Sequence, residues 1–299
     1  MTTGKMKKAI FLTGGSGFIG RNIWEHFSEK YHIFAPGHGD LDLTDEKRVA
    51  EFFDSHKIDV VIHSAVRPGN RNAKDPSNQL YCNTRMFFNI VRNSERFEKM
   101  IFLSSGLVYD IRHYQPKMRE EYFDVHVPVD EGGFSKYIAA KYIERSDNIV
   151  ELRPFGVFGK YEDYSIRFIS NLICKAIFDL PLTMRQNRRF DYISVDDFMP
   201  ILDYFIHNNG RHKSYNVTPD ESVELLMLAE KIRRISDKDL PIVVAQGGMG
   251  TEYSGDNTRL REEIRRLSFT PLDEVIRKLY AWYTEKRHGL NRDLLLVDR

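Results

Sequence analysis

The sequence predicts an α/β fold: a doubly wound parallel sheet with a smaller C-terminal lobe interleaved with it. Three observations predict this. Short apolar or β-branched runs alternate with amphipathic stretches of helical length through the first half. A glycine-rich turn separates the first run from the first amphipathic stretch. The alternation then fades after Arg153. Strand–helix alternation at this spacing implies right-handed crossovers between parallel strands. In order, 8–13 reads as a strand, 18–30 as a helix and 32–35 as a second strand. A helix follows from Thr44, its N-cap, to His56. Then come a strand over 59–63, a long helix over 76–97 and a strand over 100–104. A polar, proline-containing segment, 109–131, leads to a helix over 133–145 and a strand over 149–153. Further helical patterns lie near 165–178, 196–208, 222–235 and 271–286, separated by short extended pieces. No Gly/Ser/Pro-rich linker marks a boundary.

Composition narrows the class. With 41% hydrophobic and 12% aromatic residues among 299, the chain can bury a large core. Lys and Arg number 44 against 43 Asp and Glu, a net charge of +1, so no global charge points to nucleic acid or an anionic membrane. Cys82 and Cys174 cannot form a disulfide framework, no Cys/His cluster has zinc-ligand spacing, and no metal site is expected. No apolar run approaches the ~18–20 residues of a membrane span. The N-terminus is basic and then apolar, but its apolar part is too short for a signal peptide. A cytoplasmic protein is expected.

The turn Thr13-Gly14-Gly15-Ser16-Gly17-Phe18-Ile19-Gly20 stands between strand and helix, with Gly14, Gly17 and Gly20 spaced G-x-x-G-x-x-G. One glycine makes a tight turn, one admits a pyrophosphate to the backbone, and one lets helix and sheet pack closely. The helix N-terminus offers free N–H groups and positive dipole to the phosphates. Residues 1–153, with later returning segments, are therefore expected to form the dinucleotide-binding, Rossmann-like part. Residues 154–299 are expected to form mainly the substrate lobe.

This glycine spacing resembles that of the short-chain dehydrogenase/reductase superfamily, in its extended branch of nucleotide-sugar epimerases and 4-keto reductases. Other segments agree along nearly the whole chain. Asp40-Leu41-Asp42-Leu43 resembles the segment that meets the adenine, with Asp42 and Leu43 matched. His63-Ser64-Ala65 resembles the strand end beside the cofactor. Asn83-Thr-Arg-Met-Phe-Phe-Asn-Ile is similar to the family's Asn-Val-x-Gly-Thr-x-Asn-Leu. Arg153-Pro154-Phe155-Gly156-Val157-Phe158-Gly159 resembles Arg-Pro-x-Asn-Val-Tyr-Gly, and Asp256–Leu272 its closing signature. The resemblance implies NADP or NAD as cofactor. An NAD site places a carboxylate at the end of the second strand, whereas here Ala35-Pro36-Gly37-His38 has no acid before Asp40. That leaves room for a 2′-phosphate within reach of His38; although no arginine stands in that loop, NADP is favoured.

Such enzymes carry a Ser or Thr after the fourth strand and Tyr-x-x-x-Lys on the next helix; the lysine holds the cofactor ribose and lowers the phenol pKa. Ser104-Ser105-Gly106-Leu107-Val108-Tyr109 places Ser105 at the catalytic position. Tyr137-Ile-Ala-Ala-Lys141 satisfies the second motif literally. Yet Gly132-Gly133-Phe134-Ser135-Lys136 resembles Tyr-Gly-x-Ser-Lys, which makes Lys136 the lysine and leaves Gly132 where the tyrosine belongs. Five residues rotate Tyr137 by roughly 140° from Gly132 around a helix, so the two registers exclude one another. The Gly132–Lys136 register fits the spacings to Ser105 and Arg153 better.

Other departures bear on the chemistry. Gly106-Leu107 replaces the Asp-Glu pair of sugar 4,6-dehydratases, which argues against dehydration. The Cys of 3,5-epimerising GDP-fucose synthases is absent as well. Gly156 replaces an Asn that orients the substrate diphosphate, and Phe190 stands where an arginine is expected, with Arg185, Arg188 and Arg189 nearby. The implied substrate is a nucleotide-diphosphate sugar, handled by hydride transfer at a sugar carbon. The alternative is a cofactor-binding sensor or association protein of the same fold that has lost catalysis. The resemblance also implies a homodimer through the helices 76–97 and 133–145, with Phe87, Phe88 and Tyr142 in contact.

Overall fold

In the computed structural model, which describes residues 7–70, 72–73 and 76–297, the chain begins β1 (Ala9–Thr13), α1 (Phe18–Phe27), β2 (His32–Phe34), α2 (Glu46–Ser55) and β3 (Val60–His63). It continues α3 (Gln79–Val91), β4 (Lys99–Leu103), α4 (Glu131–Ile143), β5 (Ile149–Pro154), β6 (Val157–Phe158), α5 (Phe168–Ile177) and β7 (Leu182–Asn187). Then follow β8 (Arg189–Phe190), β9 (Ile193–Ser194), α6 (Val195–His207), β10 (Ser214–Val217) and β11 (Val223–Glu224). The last elements are α7 (Leu225–Ser236), β12 (Ile242–Met249), α8 (Thr258–Glu263) and α9 (Leu272–Glu285). Residues 1–6 of the basic N-terminal stretch lie outside the described residues.

Six strands pair in parallel in the order β10-β5-β4-β3-β1-β2. Period-2 alternation sorts β1 between two layers. Ile10 and Leu12 face α1 and α6, whereas Phe11 faces α2, α3 and α4. Every residue of β3 and β5 is buried, as expected for strands covered on both faces. The strand order reverses between β1 and β3, and it is outside the carboxyl ends of such strands that open α/β sheets form ligand crevices. A second core joins α5, α7 and α9 to Leu182 and Met184 of β7, which pairs with β12. β10 and α6 come from the same later part of the chain and return to the main sheet. No helix among the described residues is long and apolar enough to cross a membrane.

Several boundaries differ from the sequence expectation. Thr44 does not cap α2; Asp45 does, accepting from the Arg48 N–H at 3.1 Å, while Thr44 donates its hydroxyl to Asp42 at 2.8 Å. The long helix is shorter, because Asn78 turns left-handed at φ 57° and the chain leaves α3 after Val91, with a separate single turn at Ser94–Arg96. α4 starts two residues early, since the Asp130 carboxylate accepts from the Gly133 N–H at 2.7 Å. Gly132 thereby lies in its first turn.

Candidate active site

The glycine turn is built by contact. Gly14 has φ +69°, and a Cβ on it would fall 2.8 Å from the Ala65 backbone, so β1 and β3 approach too closely there for any side chain. A Cβ on Gly20 would lie 2.1 Å from the Gly14 carbonyl, which seats α1 on the turn. Gly17 differs. It caps α1 and donates its N–H to the Gly14 carbonyl at 3.0 Å, and a Cβ there would meet only that oxygen, at 3.3 Å. Gly15 backs onto Ala35 at the end of β2, and Ser16 accepts from the Arg21 guanidinium at 2.9 Å. Phe18 and Ile19 pack against the core beneath.

Behind the turn, Thr13 organises the end of β3. Its Oγ1 accepts from the N–H groups of Ser64 (3.2 Å) and Ala65 (3.1 Å) and lies 2.7 Å from His63 Nδ1. The hydroxyl proton then goes to His63 Nδ1, which must accept. Burial, reinforced by the Lys136 charge, pushes the imidazole down to about 3, so it stays neutral. His63 thus braces the strand end with its side chain enclosed. Asn83 braces the adjoining loop, accepting from the Arg67 N–H at 2.7 Å. At the adenine-side segment, Asp42 accepts two bonds from Thr44; burial works to raise its carboxyl, but these bonds, with His38 and Arg48, hold it below its usual value. Leu43 is buried, its carbonyl accepting from Asn89 at 2.9 Å, and His38 is exposed.

Ser105 and Lys136 both stand by the end of β4. Ser105 caps the turn after it, its Oγ accepting from the Leu107 N–H at 3.2 Å. Lys136 reaches inward from α4, with Nζ 5.7 Å from the centre of the Phe102 ring and close enough for its charge to act on His63 and to feel that of Glu151. Burial pushes its ammonium down to about 8, against an upward pull from Glu151. Glu151 itself is held by Arg153 at 2.7 Å, both nearly inaccessible, and Arg153 also donates to Tyr109 at 2.9 Å. Tyr137 and Lys141 point the other way: the Tyr137 hydroxyl donates to Asp124, and Lys141 lies 2.9 Å from Asp124 and 2.8 Å from Glu144 at the surface. Gly132 is not closed in. A Cβ there would lie 3.3 Å from the Asp130 carboxylate and 3.4 Å from the Gln79 amide oxygen, whereas one on Gly133 would strike the Leu107 carbonyl at 2.6 Å.

Beyond Ser105 the chain builds an aromatic wall. Phe155, following Pro154 at the end of β5, packs 4.9 Å from Tyr253, which lies 4.9 Å from Tyr114 and 4.7 Å from Phe190. A Cβ on Gly156 would lie 2.3 Å from the Asp191 carbonyl and 2.7 Å from the Phe190 ring, so Phe190 fills the room an Asn would need. Asp191 is fully buried and pushed up to about 7 by that burial. Of the three arginines, Arg189 is tied to Ser222 (3.0 and 2.9 Å) and faces Glu224; Arg185 is exposed and Arg188 partly so. Tyr114, Tyr253 and Glu151 were not singled out by the sequence. The first two come from segments 139 residues apart, and nothing local marks them.

Residues 10–218 match the sequence model of the NAD-dependent epimerase/dehydratase family. The chain belongs to this family. It is accordingly an enzyme of the NAD(P)-dependent epimerase and oxidoreductase class. Among curated proteins it is 24% identical to GDP-L-colitose synthase of Yersinia pseudotuberculosis, over 85% of this chain and 91% of that one. It is 25% identical to dTDP-4-dehydro-6-deoxyglucose reductase of Escherichia coli, over 91% and 96%. Among solved structures, GDP-mannoheptose C4 reductase from Campylobacter jejuni with NADP bound superposes with a TM-score of 0.81 at 18% identity, over 93% and 99%. The Rossmann-like fold expected from the glycine turn is the fold found.

Proposed function

We propose that this family member transfers hydride at a carbon of a nucleotide-diphosphate sugar, as a 4-keto reductase or an epimerase, with NADP preferred. The observation that carries the reading is the convergence of Ser105, Lys136 and the glycine turn on the carboxyl edge of one parallel sheet. The named relatives, a colitose synthase and a dehydro-sugar reductase, support reduction. A dinucleotide fits the turn: the N-terminus of α1 is open at Gly17 and has no acidic residue in its first turn to repel phosphate. When bound, NAD(P) supplies the hydride.

In this reading Gly14, Gly15, Ser16, Gly17, Phe18, Ile19 and Gly20 cradle the pyrophosphate. Asp42 and Leu43 meet the adenine, Ser64 and Ala65 pass beside the cofactor, and Pro154 and Phe155 flank its reactive end. Lys136 holds the ribose hydroxyls, and Ser105 donates to the sugar oxygen. Arg185 and Arg188 are left to meet the substrate diphosphate. NADP is supported by Arg48, which reaches back from α2 to the Asp40 carbonyl and borders a cavity of about 640 Å3 beside Ala35 and Pro36. Homodimer formation is supported by exposed Tyr81 and Tyr142 on the paired helices α3 and α4, whereas Phe87, expected at that contact, is buried in the core and cannot reach a partner.

The test is consumption of NADPH with GDP- and dTDP-linked 4-keto-6-deoxy sugars. Turnover is expected to be lost with Ser105→Ala and unchanged with Tyr137→Phe. Gly132 favours the second reading, a cofactor-binding protein without turnover; NADPH binding with no oxidation against either sugar class would select it.

A further inference from the structure

If the Gly132 register holds, the site lacks the helix tyrosine that donates a proton, and the structure places two other phenols against Gly106, the residue after Ser105. A Cβ built on Gly106 would fall 2.6 Å from the Tyr253 hydroxyl and 2.7 Å from the Tyr114 hydroxyl. Tyr114 donates to the Gly106 carbonyl itself. The two rings stack at 4.9 Å and 25°. Tyr253 is buried at 7% exposure, with Asp191 close enough to act on its charge, whereas part of Tyr114 stays accessible. A side chain at position 106 would point toward these hydroxyls, and its absence is what makes room for them.

We infer that Tyr114 donates the proton to the sugar oxygen in place of the missing helix tyrosine, with the Tyr253 ring stacked behind it to hold it in place. The inference rests on the hydride-transfer reading given above. A substrate carbonyl held by Ser105 would exchange with the Gly106 carbonyl for the Tyr114 hydroxyl. As hydride from the reduced nicotinamide forms the new C–H bond, the carbonyl π pair moves onto oxygen. That oxygen takes the Tyr114 proton, the phenolic O–H bond breaks, and the phenolate recovers a proton from water on the accessible side of Tyr114. Burial raises both phenols, so each carries its proton throughout the neutral range.

The test uses the full chain and its Tyr114→Phe variant, which keeps the stacked ring and loses only the hydroxyl. Turnover of the 4-keto sugar is expected to fall by ~10²–10⁴-fold. Calorimetric affinity for the sugar is expected to weaken about three- to tenfold from one lost hydrogen bond, with NADPH affinity and thermal stability nearly unchanged. Adding Gly132→Tyr to Tyr114→Phe should restore turnover, which a packing role for Tyr114 does not explain. Turnover by the parent chain with Tyr114→Phe within threefold of it overturns this inference and leaves the hydride-transfer reading standing. Neither binding nor turnover of any nucleotide sugar by the parent chain overturns both.

Discussion

Replacing Lys136 by Met separates what the buried amine does for the fold from what it does for the site. The folded chain holds this ammonium at about 8 against an ordinary 10.5, chiefly through burial. Because the folded pKa is lowered, the unfolded chain binds more protons between those values. Stability therefore rises with pH across that window, and the penalty is fully present below pH 8. At about 1.4 kcal/mol per unit, a gap of this size corresponds to roughly 3 kcal/mol at pH 7. The side chain keeps some solvent contact, and Glu151 loses an attractive neighbour, so about 2 kcal/mol is the realistic gain. Methionine has nearly the same length and keeps the contact with Phe102. Urea titration of the cofactor-free chain at pH 7 should show Lys136→Met more stable by about 2 kcal/mol, with the gain gone by pH 10.5. NADPH affinity should fall in the same variant. A variant less stable than the parent at pH 7, or a gain that is the same at both pH values, would refute the reasoning.

Neighbouring glycines of α4 should behave oppositely. Gly132→Ala should stabilise by about 0.5 kcal/mol in thermal melts through helix propensity, whereas Gly133→Ala should cost about 1–3 kcal/mol because its methyl meets the Leu107 carbonyl. Gly17→Val should lower the stability of the empty chain only modestly, by about 1 kcal/mol, since a Cβ there presses on the Gly14 carbonyl at 3.3 Å and valine caps α1 less well than glycine. It should nonetheless weaken NADPH binding by at least about a hundredfold in a fluorescence titration, as the side chain occupies the place of the pyrophosphate.

The parts of the fold legible in the sequence are those where local pattern and tertiary demand coincide. β1, β3, β4 and β5 are buried on both faces, so their apolar runs could hardly be read otherwise. The different directions of Lys136 and Tyr137, about 100° apart around α4, follow from helical rotation. Cap positions were less legible: Thr44 and Asp45 are both good caps, and the contest was decided by Thr44 bonding back to Asp42. The Tyr114–Tyr253–Phe155 wall could not be read, because it joins three distant segments and each aromatic residue looks like ordinary packing in its own surroundings. Glu151, a charge two residues before Arg153 within an otherwise apolar strand, was a visible irregularity that could have pointed to their buried pairing.

The return of β10 to the outer side of β5 has a consequence for synthesis on the ribosome. β5 pairs with β4 on one side and with β10 on the other, and β10 begins at Ser214, sixty residues after β5 ends at Pro154. Until that later segment emerges, β5 presents six residues destined for burial and an open row of backbone donors and acceptors. The nucleotide-binding half therefore cannot close its sheet as it is made. It must wait, with a sticky edge, for nearly half of the second lobe to be translated. A chain released near residue 210 would keep the whole glycine turn and still be the form most exposed to edge-to-edge aggregation and chaperone capture.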